Sequence, residues 1–320
     1  MALRNKRYAD DGWAVWIDGE DVSTVYFNCW LNPKKKSYID VAVRVRGIKE
    51  TRKLNIYVPF VISKEEVEDI SLKLNNKEIL RAIFGVGCLL EQGKNFCTSE
   101  IAYNGKTIDL VHVSKIDFEV CDIASGSMIT IDFVPILSYI DNDEAYFTVR
   151  LPLKSMQNVF SKRIDAKSAL GRLTDLISTP VINEEYGYSL RVNEASLLPS
   201  EITAIGSFNR QRLKKAVVTI SIDDNYDVND ANCYRIRRVE QHVYDGYAPE
   251  GFSSDTIILY EWNQSRERRL RGYFNFYTEI ERHIVSKKSM LFYMTIVLIV
   301  GAMGNALWEL LKFLVGLIGG

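Results

Sequence analysis

Three clusters of basic side chains are the first candidates for chemistry: RQRLKK at 210–215, RIRR at 235–238 and RERRLRGYF at 266–274. A guanidinium group pairs with phosphate through a planar fork, and an aromatic ring beside it offers a face on which a base can stack. Tyr234, Tyr273 and Phe274 stand next to these arginines. The candidate ligand-binding residues are Arg235, Arg237, Arg238, Arg266, Arg268, Arg269, Arg271 and Tyr273. In an extended RIRR segment, residues two apart share a face, which groups Arg235 with Arg237. A nucleotide or a single-stranded DNA oligomer is the ligand this set suits. The same residue types also suit a positive skirt on anionic membrane lipid, at about 1 kcal/mol per residue near the surface. Plain solvated charge is the third reading.

A second set lies in the ending MLFYMTIVLIVGAMGNALWELLKFLVGLIGG, residues 290–320. Met290 to Trp308 carries no formal charge. As a helix it spans about 28 Å, close to the hydrocarbon thickness of a bilayer. Arg282, Lys287 and Lys288 precede it, and Lys312 follows. That asymmetry predicts a single pass with residues 1–289 on the cytoplasmic side. Gly301, Asn305, Glu309, Lys312 and Gly316 are spaced 4, 4, 3 and 4 apart, within about an 80° arc of one helical face. Met303, Leu307, Leu310, Phe313 and Leu314 lie opposite. Such a stripe suits helix packing or a wetted lumen. It equally suits an anchor that ends at Trp308 and continues along the interface. One helix cannot enclose a pore, so the lumen reading requires a homo-oligomer.

Other chemistries fail on spacing. GVGCLLEQGKN (85–95) places five residues between Gly87 and Gly93, and Asn95 follows Lys94; a phosphate-binding P-loop needs four, then Lys and a hydroxyl residue. His112, His242 and His283 are far apart, and His112 alternates with Val111 and Val113 as a structural or surface strand residue does. The acidic SIDDNYDVNDAN (221–232) reads as a solvated hairpin loop and lacks the Gly and Glu of a calcium loop. The five cysteines fit no metal or redox spacing and read as reduced, mostly buried thiols. The net charge of −1 exerts no global pull on nucleic acid or lipid. The expectation is therefore a binding protein without catalytic residues, metal or cofactor.

The elements that must position these groups are mainly strands. With 47% hydrophobic and 25% charged residues the chain folds, and MALRNKRYADDGWAVW has no apolar run of secretory-signal length. β-Branched and aromatic runs predict strands over 13–17, 22–31, 38–46, 54–62, 106–123, 128–137 and 145–153, and again over 214–222, 233–244 and 256–262. SKEEVEDISLKL predicts a helix capped by Ser63 with Glu66 three residues on, and NNKEILRAIF a further short turn of helix. IDAKSALGRLTDLIS predicts an amphipathic helix ending before Pro180. The expected fold is mainly β: a cytosolic β-sandwich with short helical insertions and a C-terminal transmembrane helix. Its parts are a β-rich region (1–160), a helical and loop connection (161–200), a second β-rich region that either completes the same sandwich or forms a second domain (201–275), a juxtamembrane segment (276–289) and the membrane helix and tail (290–320).

RERRLRGYF and GAMGNALWELLKF carry a resemblance. A β-rich sensor followed by a minimal membrane segment resembles the membrane effectors of bacterial anti-phage defence, and among them the transmembrane effector of the Hailong system. The resemblance covers domain order and tail placement and rests on no diagnostic motif, so it transfers no residue role. It implies an oligomeric ion channel in the bacterial inner membrane, held closed by a deoxyadenosine oligomer and opened when the oligomer is lost. It also implies a nucleotidyltransferase partner and abortive infection as the outcome. CBASS membrane effectors with β-barrel sensors share that logic but place their helices before the barrel, and this chain departs from that order. The alternative function class is a tail-anchored inner-membrane scaffold or adaptor with a β-sandwich interaction domain.

Overall fold

Along Tyr186, Tyr188, Leu190 and Val192 every second side chain is buried, as it is along Phe274, Phe276, Thr278 and Ile280. This period of two is what a strand with one covered face requires. The structure, a computed structural model, describes residues 12–18, 24–84, 88–91, 97–103, 105–153, 160–162, 181–210, 213–229, 232–265, 272–285 and 287–318. Its strands form two mixed sheets. The eight-stranded sheet runs β15 (Tyr226–Asn229), β18 (Phe274–Val285), β13 (Val181–Val192), β1 (Gly12–Ile17), β4 (Lys53–Val58), β10 (Gly126–Asp132) and β9 (Phe118–Ile123), with β12 (Phe160–Lys162) on β13. The ten-stranded sheet runs β16 (Arg235–Arg238), β17 (Ile257–Ser265), β14 (Lys215–Asp223), β2 (Thr24–Trp30), β3 (Ser37–Arg46), β11 (Glu144–Leu153), β8 (Lys106–Val111), β7 (Thr98–Tyr103) and β6 (Leu89–Glu91), with β5 (Glu68–Asp69) on β11. The pairs β1–β13, β2–β14 and β8–β11 are parallel. Both sheets mix strands from the two halves of the chain.

The sheets pack face to face over a core that includes Val15, Phe27, Val43, Ile56, Phe147 and Ile220. Cys29 Sγ meets Tyr188 Oη at 3.0 Å, and the rings of Trp262 and Phe276 meet at 4.8 Å, both across the sandwich. Helices are short except the last: α1 (Lys77–Phe84), α2 (Ser200–Thr203), α3 (Gly206–Arg210) and α4 (Lys287–Ile318). Leu198, Ile202 and Phe208 cover Ala14, Trp16 and Tyr57 on the outer face of the eight-stranded sheet.

Several sequence expectations change. Residues 181–192, read as part of a helical and loop connection, form β13, and 276–285, read as juxtamembrane, belong to β18. The stretch after Ser63 is not one helix. Its capping box closes only a 3-10 turn at Lys64–Glu66, because Glu68 and Asp69 are drawn into pairing with Arg150 and Val149. β14 and β15 do not form a hairpin, since β15 pairs with β18 in the opposite sheet. The amphipathic helix expected over 164–178 lies outside the described residues.

The outer face of the ten-stranded sheet carries a buried ion pair. Arg150 Nε and Nη2 donate to the Asp40 carboxylate at 2.6 and 3.0 Å, and Trp30 Nε1 donates to the same carboxylate at 2.8 Å. The guanidinium lies against the rings of Trp30 and Tyr247, at 5.6 and 5.3 Å. Burial works against its charge, but Asp40 more than offsets that and raises the Arg150 pKa. Nη1 has no hydrogen-bond partner and faces Glu68 at 4.0 Å. Covering this face are α1, the 3-10 turn Ser71–Asn75 and the segment 239–252, through Leu74, Leu80, Val239, Tyr244 and Tyr247. His112 pins the cover. Its Nε2 lies 2.8 Å from Ser99 Oγ and its Nδ1 lies 3.1 Å from Ser71 Oγ. Ser71 Oγ donates to Asp69 at 2.5 Å, which assigns the His112 proton to Nδ1 and leaves Nε2 to accept from Ser99.

Two stability measurements check these arrangements by urea unfolding of the detergent-solubilised chain. Arg150→Met strands a buried Asp40 carboxylate and costs about 3–5 kcal/mol. Adding Asp40→Asn recovers part of that, since a neutral amide still accepts from Trp30. Burial lowers the His112 pKa below its ordinary 6.5, and Lys115 lowers it further against the opposing pull of Asp69. The unfolded chain therefore binds the proton more readily, and stability present above about pH 6.5 is lost as the pH falls toward the folded-state value. His112→Gln flattens that slope between about pH 6.5 and 5.

Candidate ligand cavity

Neighbouring strands of the ten-stranded sheet bring distant residues into one row. Arg235 on β16 stands opposite Glu261 on β17, Val217 on β14 opposite Tyr26 on β2, and Arg44 on β3 opposite Tyr146 on β11. With Lys215, Ile101 and Ile108 they line a cavity of about 490 Å³ on the outer face, roofed by Arg81, Ala82, Ile83 and Phe84 of α1. That volume is within the range of small-molecule sites.

The lining holds five cations, Arg44, Arg81, Lys215, Arg235 and Arg237, against two carboxylates, Glu240 and Glu261. Arg44 is neutralised by Glu144, which accepts from its Nε at 2.7 Å and from Nη2, while Arg46 reaches the other oxygen at 2.9 Å. Both terminal nitrogens of Arg237 are engaged: Nη1 lies 2.8 Å from both Glu240 oxygens, and Nη2 donates to the Ala82 carbonyl and Tyr244 Oη, each at 2.9 Å. Burial opposes its charge, but Tyr244 and Glu240 outweigh that and raise its pKa. Among the described residues, Arg81, Lys215 and Arg235 have no carboxylate within 4.0 Å of their charged groups. Aromatic rings complete the walls. Tyr146 lies 5.2 Å from Phe84 edge-on and 6.1 Å from Tyr26. Burial raises the Tyr146 pKa well above its ordinary value, so its hydroxyl stays neutral. Chemically, the cavity offers cations to an anion and ring faces to a planar group.

Of the residues singled out in the sequence, Arg235 and Arg237 both line this cavity. Arg238 faces away and bridges to Asp224 at 3.1 Å. Arg266, Arg268, Arg269 and Arg271 lie outside the described residues; their segment leaves β17 after Ser265, the cross-strand neighbour of Lys215. Tyr273, exposed, precedes β18. Arg44, Arg81, Tyr26 and Tyr146 were missed, because none of them belongs to one of the three basic clusters of the sequence. Gly301, Asn305, Glu309 and Lys312 lie on α4, well away from the cavity in sequence and in fold. There Lys312 Nζ pairs with Glu309 at 2.8 Å and sits 5.7 Å over the Trp308 ring. Among the described residues, no three His, Cys, Asp or Glu side chains gather as a metal site.

The molecule is polar along its length. Lys215, Ser265 and the start of β18 share one end of the sandwich, as the Trp262–Phe276 contact shows. β18 then runs from Phe274 to Val285, about 37 Å of extended chain, and α4 begins at Lys287 after one intervening residue. Within α4, Tyr293–Lys312 is long and apolar enough to cross a membrane, and none of it is buried.

No family model matches this chain, and no curated protein does. Among solved structures, the NMR structure of the folded domain of the Mycobacterium tuberculosis LppM protein is similar at 8% identity and a TM-score of 0.20, over 85% of this chain and 95% of that one, a likeness too slight to transfer fold or function.

Proposed function

We propose that the protein is a ligand-gated membrane effector of bacterial anti-phage defence. The cavity under α1 takes a nucleotide or the nucleotide units of a short DNA oligomer, and α4 assembles with copies of itself in the inner membrane into an ion-conducting channel. The β domain lies on the cytoplasmic side of a single pass and acts by binding rather than catalysis. A nucleotidyltransferase supplies the ligand.

One observation carries this reading. Arg81, Lys215 and Arg235, which meet no carboxylate among the described residues, and the aromatic walls gather at the end of the sandwich from which β18 runs about 37 Å toward the apolar helix. Electrostatic attraction to lipid headgroups fades over a Debye length of about 8 Å. Along the strand, these cations are several such lengths from the bilayer, which favours a soluble anion over lipid as their partner. The scaffold reading draws its own support from the Glu309–Lys312 pair, which lets α4 stand as a simple anchor with its charges satisfied within one helix.

Two experiments test the two halves. Arg81→Glu with Arg235→Glu weakens binding of ATP or a short deoxyadenosine oligomer to the full chain at least about tenfold, and wild-type affinity falls steeply with salt. No binding by the wild type at low salt overturns the ligand half. In liposomes, the full chain passes ions and a chain ending at Ser289 does not. Glu309→Gln reduces cation preference, because a ring of carboxylates selects cations. If neither the presence nor the absence of nucleotide produces flux, the channel is overturned and the anchored scaffold stands.

A further inference from the structure

Glu240 is the odd group in the cavity. It is a carboxylate in a site built to attract anions, and it lies in the turn directly after β16. Both its oxygens are 2.8 Å from Nη1 of Arg237. Nη2 of the same guanidinium is engaged elsewhere, with the Ala82 carbonyl and Tyr244 Oη. Ala82 is among the last four residues of α1, whose carbonyls have no partner within the helix. Nη2 of Arg237 therefore caps the roof helix, while Nη1 is held by Glu240, and both residues line the cavity.

We infer that Glu240 is a tethered competitor, occupying on Arg237 the place that an anionic group of the ligand takes when it enters. This rests on the reading that the cavity binds an anion, and adds how access to it is regulated. The exchange moves only one partner. The ligand's anion replaces Glu240 on Nη1, Nη2 stays on Ala82, and the roof remains capped. Glu240 is suited to leave, since its side chain is 51% exposed whereas that of Arg237 is only 17% exposed. The carboxylate end of this pair is open to water, which weakens its hold, so a ligand bearing several charges outcompetes one carboxylate.

The test is calorimetric titration of the detergent-solubilised full chain with ATP at low salt, comparing wild type, Glu240→Gln, Arg237→Ala and the double variant. Removing the competitor tightens ATP binding about two- to fivefold, the range an exposed pair spans. In the Arg237→Ala background the same change has little effect, because the contested group is gone. Hydrogen exchange over 77–84 separates the two roles of the arginine: without ligand, Arg237→Ala speeds exchange there and Glu240→Gln does not. If ATP binds wild type and Glu240→Gln equally, the competitor is overturned while the cavity reading stands. An equal gain in both backgrounds also overturns it, since that gain is general charge relief. ATP binding to none of the four proteins removes the cavity reading and this inference with it.

Discussion

The Asp40–Arg150 pair obliges the ten-stranded sheet to be covered. Both side chains are almost fully buried, and charges in that position are tolerated only if they are paired with each other and further supported. Trp30, Tyr247 and Glu68 supply the partners, and the segments that bring Tyr247 and Glu68 are the ones that close over the sheet. The cover is incomplete at the opposite end of the same strands. There α1 roofs Tyr26 and Tyr146 and leaves an open volume ringed by cations. The dry ion pair and the open cavity are thus two ends of one layer: the first holds the cover down, and the second is what the cover leaves open.

How much of this the sequence shows depends on how local the cause is. Strands with strong β-branched and aromatic content, such as β2, β3 and β11, stand where the composition places them. β13 does not announce itself, because Asn183, Glu184, Glu185 and Gly187 mask the alternation of Tyr186, Tyr188, Leu190 and Val192. β18 is hidden by the basic run before it and the membrane helix after it, although its period of two is clean. The capping box at Ser63 is legible, yet it caps only a single 3-10 turn, since pairing with β11 takes the next residues. Local chemistry is right there and tertiary pairing overrides its extent.

The cavity divides along the same line. That Arg235 and Arg237 share a face follows from the pleat alone. That Arg44 and Arg81 join them depends on the parallel pairing of β2 with β14, nearly two hundred residues apart, and on where a short helix lands. No spacing in one sequence encodes either. The functions of the two arginines differ for a further reason that only packing reveals. Arg237 is held by Glu240, Ala82 and Tyr244, while Arg235 stands opposite Glu261 with no carboxylate within 4.0 Å among the described residues. Of two identical residue types two positions apart, one also ties down the roof helix.

Among the described residues, β18 is the element that leads into α4, so a signal from the cavity end to α4 would run along it, and its pairing limits what form that takes. β18 pairs with β13 over its whole length, from Val192↔Phe274 to Val181↔Val285. A slip of one residue turns Phe274, Phe276 and Ile280 out of the core and is excluded. A slip of two keeps the faces but breaks the whole ladder before remaking it, so sliding is closed to a signal. Such a signal would instead take the form of movement of the β13–β18 ribbon as one body, whose strand ends one residue before α4 begins. A lever about 37 Å long turns a small change of tilt at the cavity end into a displacement of several ångströms where the chain enters α4. In an assembly of several chains, such a displacement alters how the α4 helices pack against one another without unfolding any of them. The rigidity of the sandwich is therefore what would let a weakly held contact at one end act on a helix at the other.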